Sequence, residues 1–217
     1  MFIGHYALAF AARPSVERPG LGSLILAASW VDLIWPIFLL LGLEEVRIAP
    51  GITARTPLDF VNYPWTHSLL MGLVWAVVLA LLLSRGRWGR RDQIILGLLV
   101  LSHWGLDWIS HRPDMPLWPG GPKVGLGLWY SRTGTTVVEG LLFLAGLGLY
   151  LRGTRAEGWK GHLALWSFVG FIGALYLLDS LGGPPPPSAR FLAWFSLSAW
   201  LAPAWGAWIE RTRRATA

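Results

Sequence analysis

The sequence predicts an all-α fold, a polytopic membrane bundle of about six transmembrane helices preceded by a short N-terminal half-helix. Three observations point to it. Of the 217 residues, 54% are hydrophobic and only 14% charged, against roughly 25% charged in soluble domains. Mean hydropathy is +0.49. Apolar runs of about 20 residues, the length that crosses a hydrocarbon core, recur along the chain. Together these exclude a disordered chain, a coiled coil and a secreted disulfide scaffold.

The elements follow in order. Residues 1–12 are apolar up to Arg13, too short to cross a bilayer, and have no basic leader of the kind a cleaved signal peptide carries. Spans are expected at 21–43, 66–84, 93–110, 133–151, 162–180 and 191–209. Gly182-Gly183 and the run Pro184 to Pro187 cannot be helical, so they separate the last two spans. The chain reads as one transmembrane domain over 1–217, with 1–150 holding its chemistry and 151–217 adding two spans. Many of the 15 tryptophans, such as Trp35, Trp65, Trp88, Trp118 and Trp129, stand at run ends, where interfacial belts form.

Charge sets the expected topology. The net charge is +6, but the cations flank apolar runs, so no nucleic-acid partner is expected. Twelve of the 18 Lys and Arg fall before span 1, between spans 2 and 3, between spans 4 and 5, and after span 6. The other six fall on the opposite side, so both termini are expected in the cytoplasm of a multi-pass inner-membrane protein. The loops 44–65 and 111–132 then lie outside.

With no cysteine, thiolate chemistry is excluded. Ionisable side chains within apolar spans carry the functional reading, because they are costly there. In Ser102-His103-Trp104-Gly105-Leu106-Asp107, continuing to His111-Arg112-Pro113-Asp114, the residues His103, Asp107 and His111 recur every four positions and share one helix face. Such a His/Asp pair can present two ligands to one ion. Pro64-Trp65-Thr66-His67-Ser68 opens span 2, Asp32 lies near the middle of span 1, and Glu139 lies two turns inside span 4. At ~1.5 Å per residue, all of these fall in the outer half of the bilayer. His5 joins them if residues 1–12 rise as a half-helix. The acids do not continue to the cytoplasmic side, which argues against an ion path. Glu44 and Glu45 read as loop residues, Asp179 as a helix end and His162 as solvated.

An N-terminal His, an Asp in the next helix, Thr-His-Ser at the head of a span and Ser-His-x-x-x-Asp in the following one resemble a known family. It is the membrane-bound, metal-dependent hydrolase-like family of inner-membrane-associated, LexA-binding proteins. The resemblance covers roughly residues 1–150 and implies a metal held by His5, Asp32, His67, His103 and Asp107. Where that family often has Asp-x-Asp, this chain has Val31-Asp32-Leu33-Ile34 with one carboxylate, and Tyr63-Pro64-Trp65 replaces its arginine before Thr-His-Ser.

The expected function is therefore a metal-dependent hydrolase of an ester or phosphoester at the outer leaflet. The His/Asp set suits a divalent ion, Zn²⁺ first, then Mn²⁺ or Fe²⁺. Glu139 or His111 would act as general base, with Arg112 and Arg132 clamping a phosphate at the mouth. A lipid or lipid-linked substrate is expected from the depth of the site. The alternative is a non-catalytic membrane protein whose His/Asp cluster is structural and whose Trp-rich faces pack against a partner membrane protein.

Overall fold

A computed structural model describes residues 1–216. The chain is mostly helical. Among the described residues, three helices are long and apolar enough to cross a membrane: α6 (Arg90–Ser110), α7 (Arg132–Gly153) and α8 (Gly158–Ser180). The helices α2 (Leu21–Ala28) and α3 (Trp30–Leu40) pass the same test as one span bent by 53°. Three spans, or four with the bent pair, stand where six are expected.

The shortfall has local causes. Ser68 is extended (ψ 149°) and caps α5 (Leu69–Ser84) by accepting a hydrogen bond from the Met71 amide. It thereby splits off the single turn α4 (Pro64–His67). The 16 residues left to α5 rise only about 24 Å, short of the ~30 Å hydrocarbon core. Residues 191–209 are likewise divided, into α9 (Ala189–Ser196), a 3₁₀ turn at Leu197–Trp200 and α10 (Leu201–Arg211). Pro203 sits in the first turn of α10, where a missing amide is tolerated.

Small sheets also enter what hydropathy reads as plain loops. Strand β1 (Glu45–Ile48) pairs antiparallel with β2 (Leu58–Asn62), placing Val46 opposite Phe60. Two shorter antiparallel pairs join β3 (Met115–Pro116) to β4 (Lys123–Val124), and β5 (Thr154–Ala156) to the distant β6 (Arg213–Ala215). Phe60 and Val46 bury against Trp35, Tyr63 and Met115, a second small core lying over one end of the bundle.

The first helix, α1 (Ile3–Ala12), is packed inside the protein, with Ala7, Ala9 and Phe10 fully buried. It lies against α7, α2 and α6. Its approach to α7 needs Gly146, where a Cβ would overlap the Ala7 carbonyl. On another face, a Cβ at Gly22 would lie 2.6 Å from the Pro203 carbonyl oxygen, which lets α2 and α10 touch. These small-residue contacts are the usual means of close helix packing in a membrane. They bring the head of α1, the α2–α3 break, α4, the end of α6 and the start of α7 to one end of the bundle.

Candidate metal centre

Helix α6 places His103 and Asp107 one turn apart on its buried face. The break at Ser29 leaves the carbonyls ending α2 without helical partners, and Ala28 O lies 2.9 Å from His103 Nδ1. A carbonyl only accepts, so Nδ1 carries the proton and the Nε2 lone pair faces inward. There it lies 3.1 Å from Asp107 Oδ2 and 3.5 Å from Asp32 Oδ1. Asp32 is in the first turn of α3, immediately after the break.

His67 is oriented by a longer relay. Its Nδ1 is 2.6 Å from Thr66 Oγ1, whose hydroxyl donates to Glu44 Oε2 at 2.8 Å. The hydroxyl proton being committed, His67 Nδ1–H must be the donor to Thr66. Glu44 Oε1 meanwhile accepts the Trp65 and Thr66 amides at 2.9 Å each and so closes the head of α4. Burial pushes the Glu44 carboxyl above its ordinary value. His67 Nε2 is left free, 3.4 Å from Asp32 Oδ1 and 3.9 Å from Asp107 Oδ2.

Two imidazole nitrogens and two carboxylates from three elements, α3, α4 and α6, thus face one another. Ligands bonded at ~2.0–2.2 Å around a tetrahedral ion stand about 3.3–3.6 Å apart, and the four nitrogen–oxygen distances of 3.1–3.9 Å bracket that value. His5 adds a fifth group. Its ring stacks on His103 at 3.6 Å between centroids, and its Nε2 is 3.3 Å from Asp107 Oδ1. His5 Nδ1 and Nε2 and His103 Nε2 are buried with no hydrogen-bond partner among the described residues. Orphaned buried nitrogens facing carboxylates are what a cation would satisfy. The residues present fit a divalent ion.

The remaining expected residues are arranged around this set. His111 lies with Nε2 3.9 Å from Asp107 Oδ2 and Nδ1 3.0 Å from Asp114 Oδ1. Tyr63 donates to the same Asp114 oxygen at 3.0 Å, and the His111 ring is packed by Trp129 at 4.0 Å and Phe60 at 4.8 Å. Burial holds the His111 imidazole below its ordinary pKa and pushes the Tyr63 phenol well above its own. Arg112 points away from the cluster, donating from Nε to Asp114 Oδ2 at 2.9 Å and pairing with Asp59. The buried Glu139 carboxylate accepts the Phe2 and Gly4 amides at 2.7 and 3.4 Å, capping the head of α1. The Met1 ammonium pairs with Asp107 and lies 3.0 Å from Ser110 Oγ. Arg132 is bound to the Ala54 and Ser180 carbonyls.

The family model for the YdjM inner membrane protein matches residues 48–181, more than half of the chain. The chain belongs to the YdjM inner membrane protein family. Neither the curated proteins nor the solved structures contain a match. The stretch matched to the YdjM family holds His67, His103, Asp107, His111 and Glu139. His5 and Asp32 lie before it and are brought to the cluster by α1 and the bent span. Membership and the apolar helices together make this an inner-membrane protein embedded in the lipid bilayer.

Glu44, Thr66, Tyr63 and Asp114 are the site residues that sequence reasoning passed over as ligand supports. Asp114 follows His111 by three positions and Thr66 precedes His67, so both carried a local signal. Glu44 carried none, because a hairpin and 22 residues separate it from the turn that it caps.

Proposed function

We propose that this protein is a membrane-embedded, metal-dependent hydrolase acting on an ester or phosphoester at the outer leaflet. The observation that carries the reading is that His67 Nε2 and His103 Nε2 each face Asp32 Oδ1 and Asp107 Oδ2 at 3.1–3.9 Å, with the triads Asp32, His67, His103 and His5, His103, Asp107 both spaced to hold an ion. Each imidazole is fixed by a hydrogen bond at its other nitrogen, the outer support that metal-ligating histidines ordinarily have. These four groups would hold one divalent ion, with His5 beside it, and the donor set suits zinc, manganese or iron. Such an ion supplies Lewis acidity and lowers the pKa of a nearby water.

The chain's own residues supply the rest. The Asp32 side chain is 43% exposed whereas Asp107 is 3% exposed, so substrate approaches from the Asp32 side. His111, held through Nδ1 by Asp114, offers Nε2 as the base beside the cluster. It takes a proton from the attacking water as that oxygen bonds to the carbonyl carbon or phosphorus. The ester bond to the leaving oxygen breaks, and the same proton passes to it. Arg112 acts through Asp114 as a positioning residue, and Glu139 positions α1 and hence His5. The arginine distribution favours cytoplasmic termini; on that reading this end of the bundle faces outward, and a lipid or lipid-linked ester is the substrate class we propose.

Four protein groups around one point also match the closed shell of a structural zinc site. The second reading is therefore a non-catalytic protein whose cluster locks the bundle for a partner membrane protein. Metal analysis of detergent-purified protein, followed by assay against lipid extracts, tests both. Stoichiometric metal with hydrolysis abolished in His111→Ala supports the enzyme. Metal without hydrolysis of any lipid extract favours the structural site. Absence of metal after reconstitution with Zn²⁺ and Mn²⁺ overturns the metal centre itself.

A further inference from the structure

A second polar site lies apart from the His/Asp cluster. The loop before β2, the end of α8, the Pro184–Pro187 run and α9 enclose a cavity of about 630 Å³, with Arg55, Arg132 and Asp179 in its wall. Arg55 is buried at 6% exposure. Its guanidinium lies over the Tyr176 ring at 5.1 Å, and Nη1 is 2.5 Å from Asp179 Oδ2. Yet Nε and Nη1 have no hydrogen-bond partner of proper geometry among the described residues. A buried guanidinium with undirected donors is costly unless an oxyanion completes it. The 54%-exposed Asp179 carboxylate pairs with one edge of the guanidinium and leaves Nε without an acceptor.

The surroundings specify the ligand. Arg132 reaches the cavity past Gly182, whose φ of +77° and missing Cβ leave room for the guanidinium. Its Nε and Nη2 donate to Ala54 O and its Nη1 to Ser180 O, which leaves one N–H on each terminal nitrogen for an anion. Two guanidiniums against one carboxylate leave a net charge of +1, matched to a single phosphodiester. The other walls are apolar: Phe191, Phe195 and Leu178 line the cavity and are 53%, 59% and 64% exposed. The cavity also sits where α7 begins and α8 ends, the depth at which headgroups meet the hydrocarbon core.

We propose that this cavity binds one anionic phospholipid, its phosphate between Arg55 and Arg132 and its acyl chains along Phe191, Phe195 and Leu178. The site is independent of the metal centre and of its chemistry. Through the Arg55 amide, which donates to Trp129 O at 3.1 Å, the same loop is tied to the ring that packs on His111.

Native mass spectrometry of the full chain in detergent tests this, with dioleoylphosphatidylglycerol or dioleoylphosphatidylcholine added in equal amounts. The expected result is one retained phosphatidylglycerol per chain and clearly weaker retention of phosphatidylcholine. Arg55→Gln and Arg132→Gln should each weaken phosphatidylglycerol about five-fold, on the scale of one basic side chain near an anionic headgroup. Asp179→Asn should strengthen it. Chelator-treated protein should retain the lipid equally, which separates this outcome from that of the metal centre. Equal retention of the two lipids, or unchanged retention in both arginine variants, overturns the proposal. Displacement of the lipid by millimolar inorganic phosphate would assign the site to a soluble anion and overturn it too. If Arg55→Gln aggregates, Arg132→Gln and Asp179→Asn, at less buried positions, decide.

Discussion

The two ends of the helical bundle differ in how their charged and imidazole groups are satisfied. At the end where α2 and α6 begin, each buried or half-buried acid is satisfied. Asp92 accepts the Glu17 and Arg18 amides at 3.1 and 3.0 Å. Glu210 takes Arg13 through Nε and Nη2 and also the Leu21 amide that opens α2. Arg213 donates to the Thr154 hydroxyl and carbonyl. At the other end, three imidazole nitrogens of His5 and His103 have no hydrogen-bond partner among the described residues, although two carboxylates face them. Polar groups that serve only stability are closed by neighbours, because each orphan costs about 1–3 kcal/mol. A set left open beside two carboxylates is what the proposed metal centre would use.

That contrast can be broken at either end. The largest effect is expected from His103→Ala and Asp107→Ala, which should take bound metal from one per chain to none by elemental analysis; full retention in both would dissolve the site. His111→Ala comes next. It should keep the metal while lowering turnover of a cleaved lipid ester by roughly 10²–10⁴-fold, the range for a lost general base. A parallel loss of metal would instead make His111 a ligand.

Thr66→Val probes the relay. Without the hydroxyl, His67 loses the acceptor that fixes its tautomer, and metal affinity measured by chelator competition should fall about 10–100-fold. An unchanged affinity would show that Glu44 and Thr66 serve α4 alone. The smallest effect on the site belongs to the opposite end. Asp92→Ala strands two amides and should cost about 1–3 kcal/mol in detergent unfolding, with metal content unchanged. Metal loss there would mean that the two ends are coupled.

Part of this arrangement was legible along the chain. The four-residue spacing of His103, Asp107 and His111 needs only helical periodicity to place them on one face, and the cost of a carboxylate in an apolar run singled out Asp32. Other parts were not. Six apolar runs do not all become single helices long enough to span, because Ser68 and the 3₁₀ turn at Leu197–Trp200 interrupt two of them and hydropathy averages over such breaks. Glu139 and Arg112 stand near the cluster in sequence terms. Their partners, the α1 amides and the acids Asp59 and Asp114, were not visible in any window.

By itself, then, the sequence determined the solvent of this protein and the chemical types in its polar set, since both follow from composition and short-range spacing. Only the tertiary structure decided that His5 comes to Asp107, that Asp32 lies directly after a helix break, and that Glu44 orients His67 through Thr66. Those are contacts between distant segments. They depend on where α1 finds room beside Gly146 and where α2 stops, and neither of these is a property of any local stretch of residues.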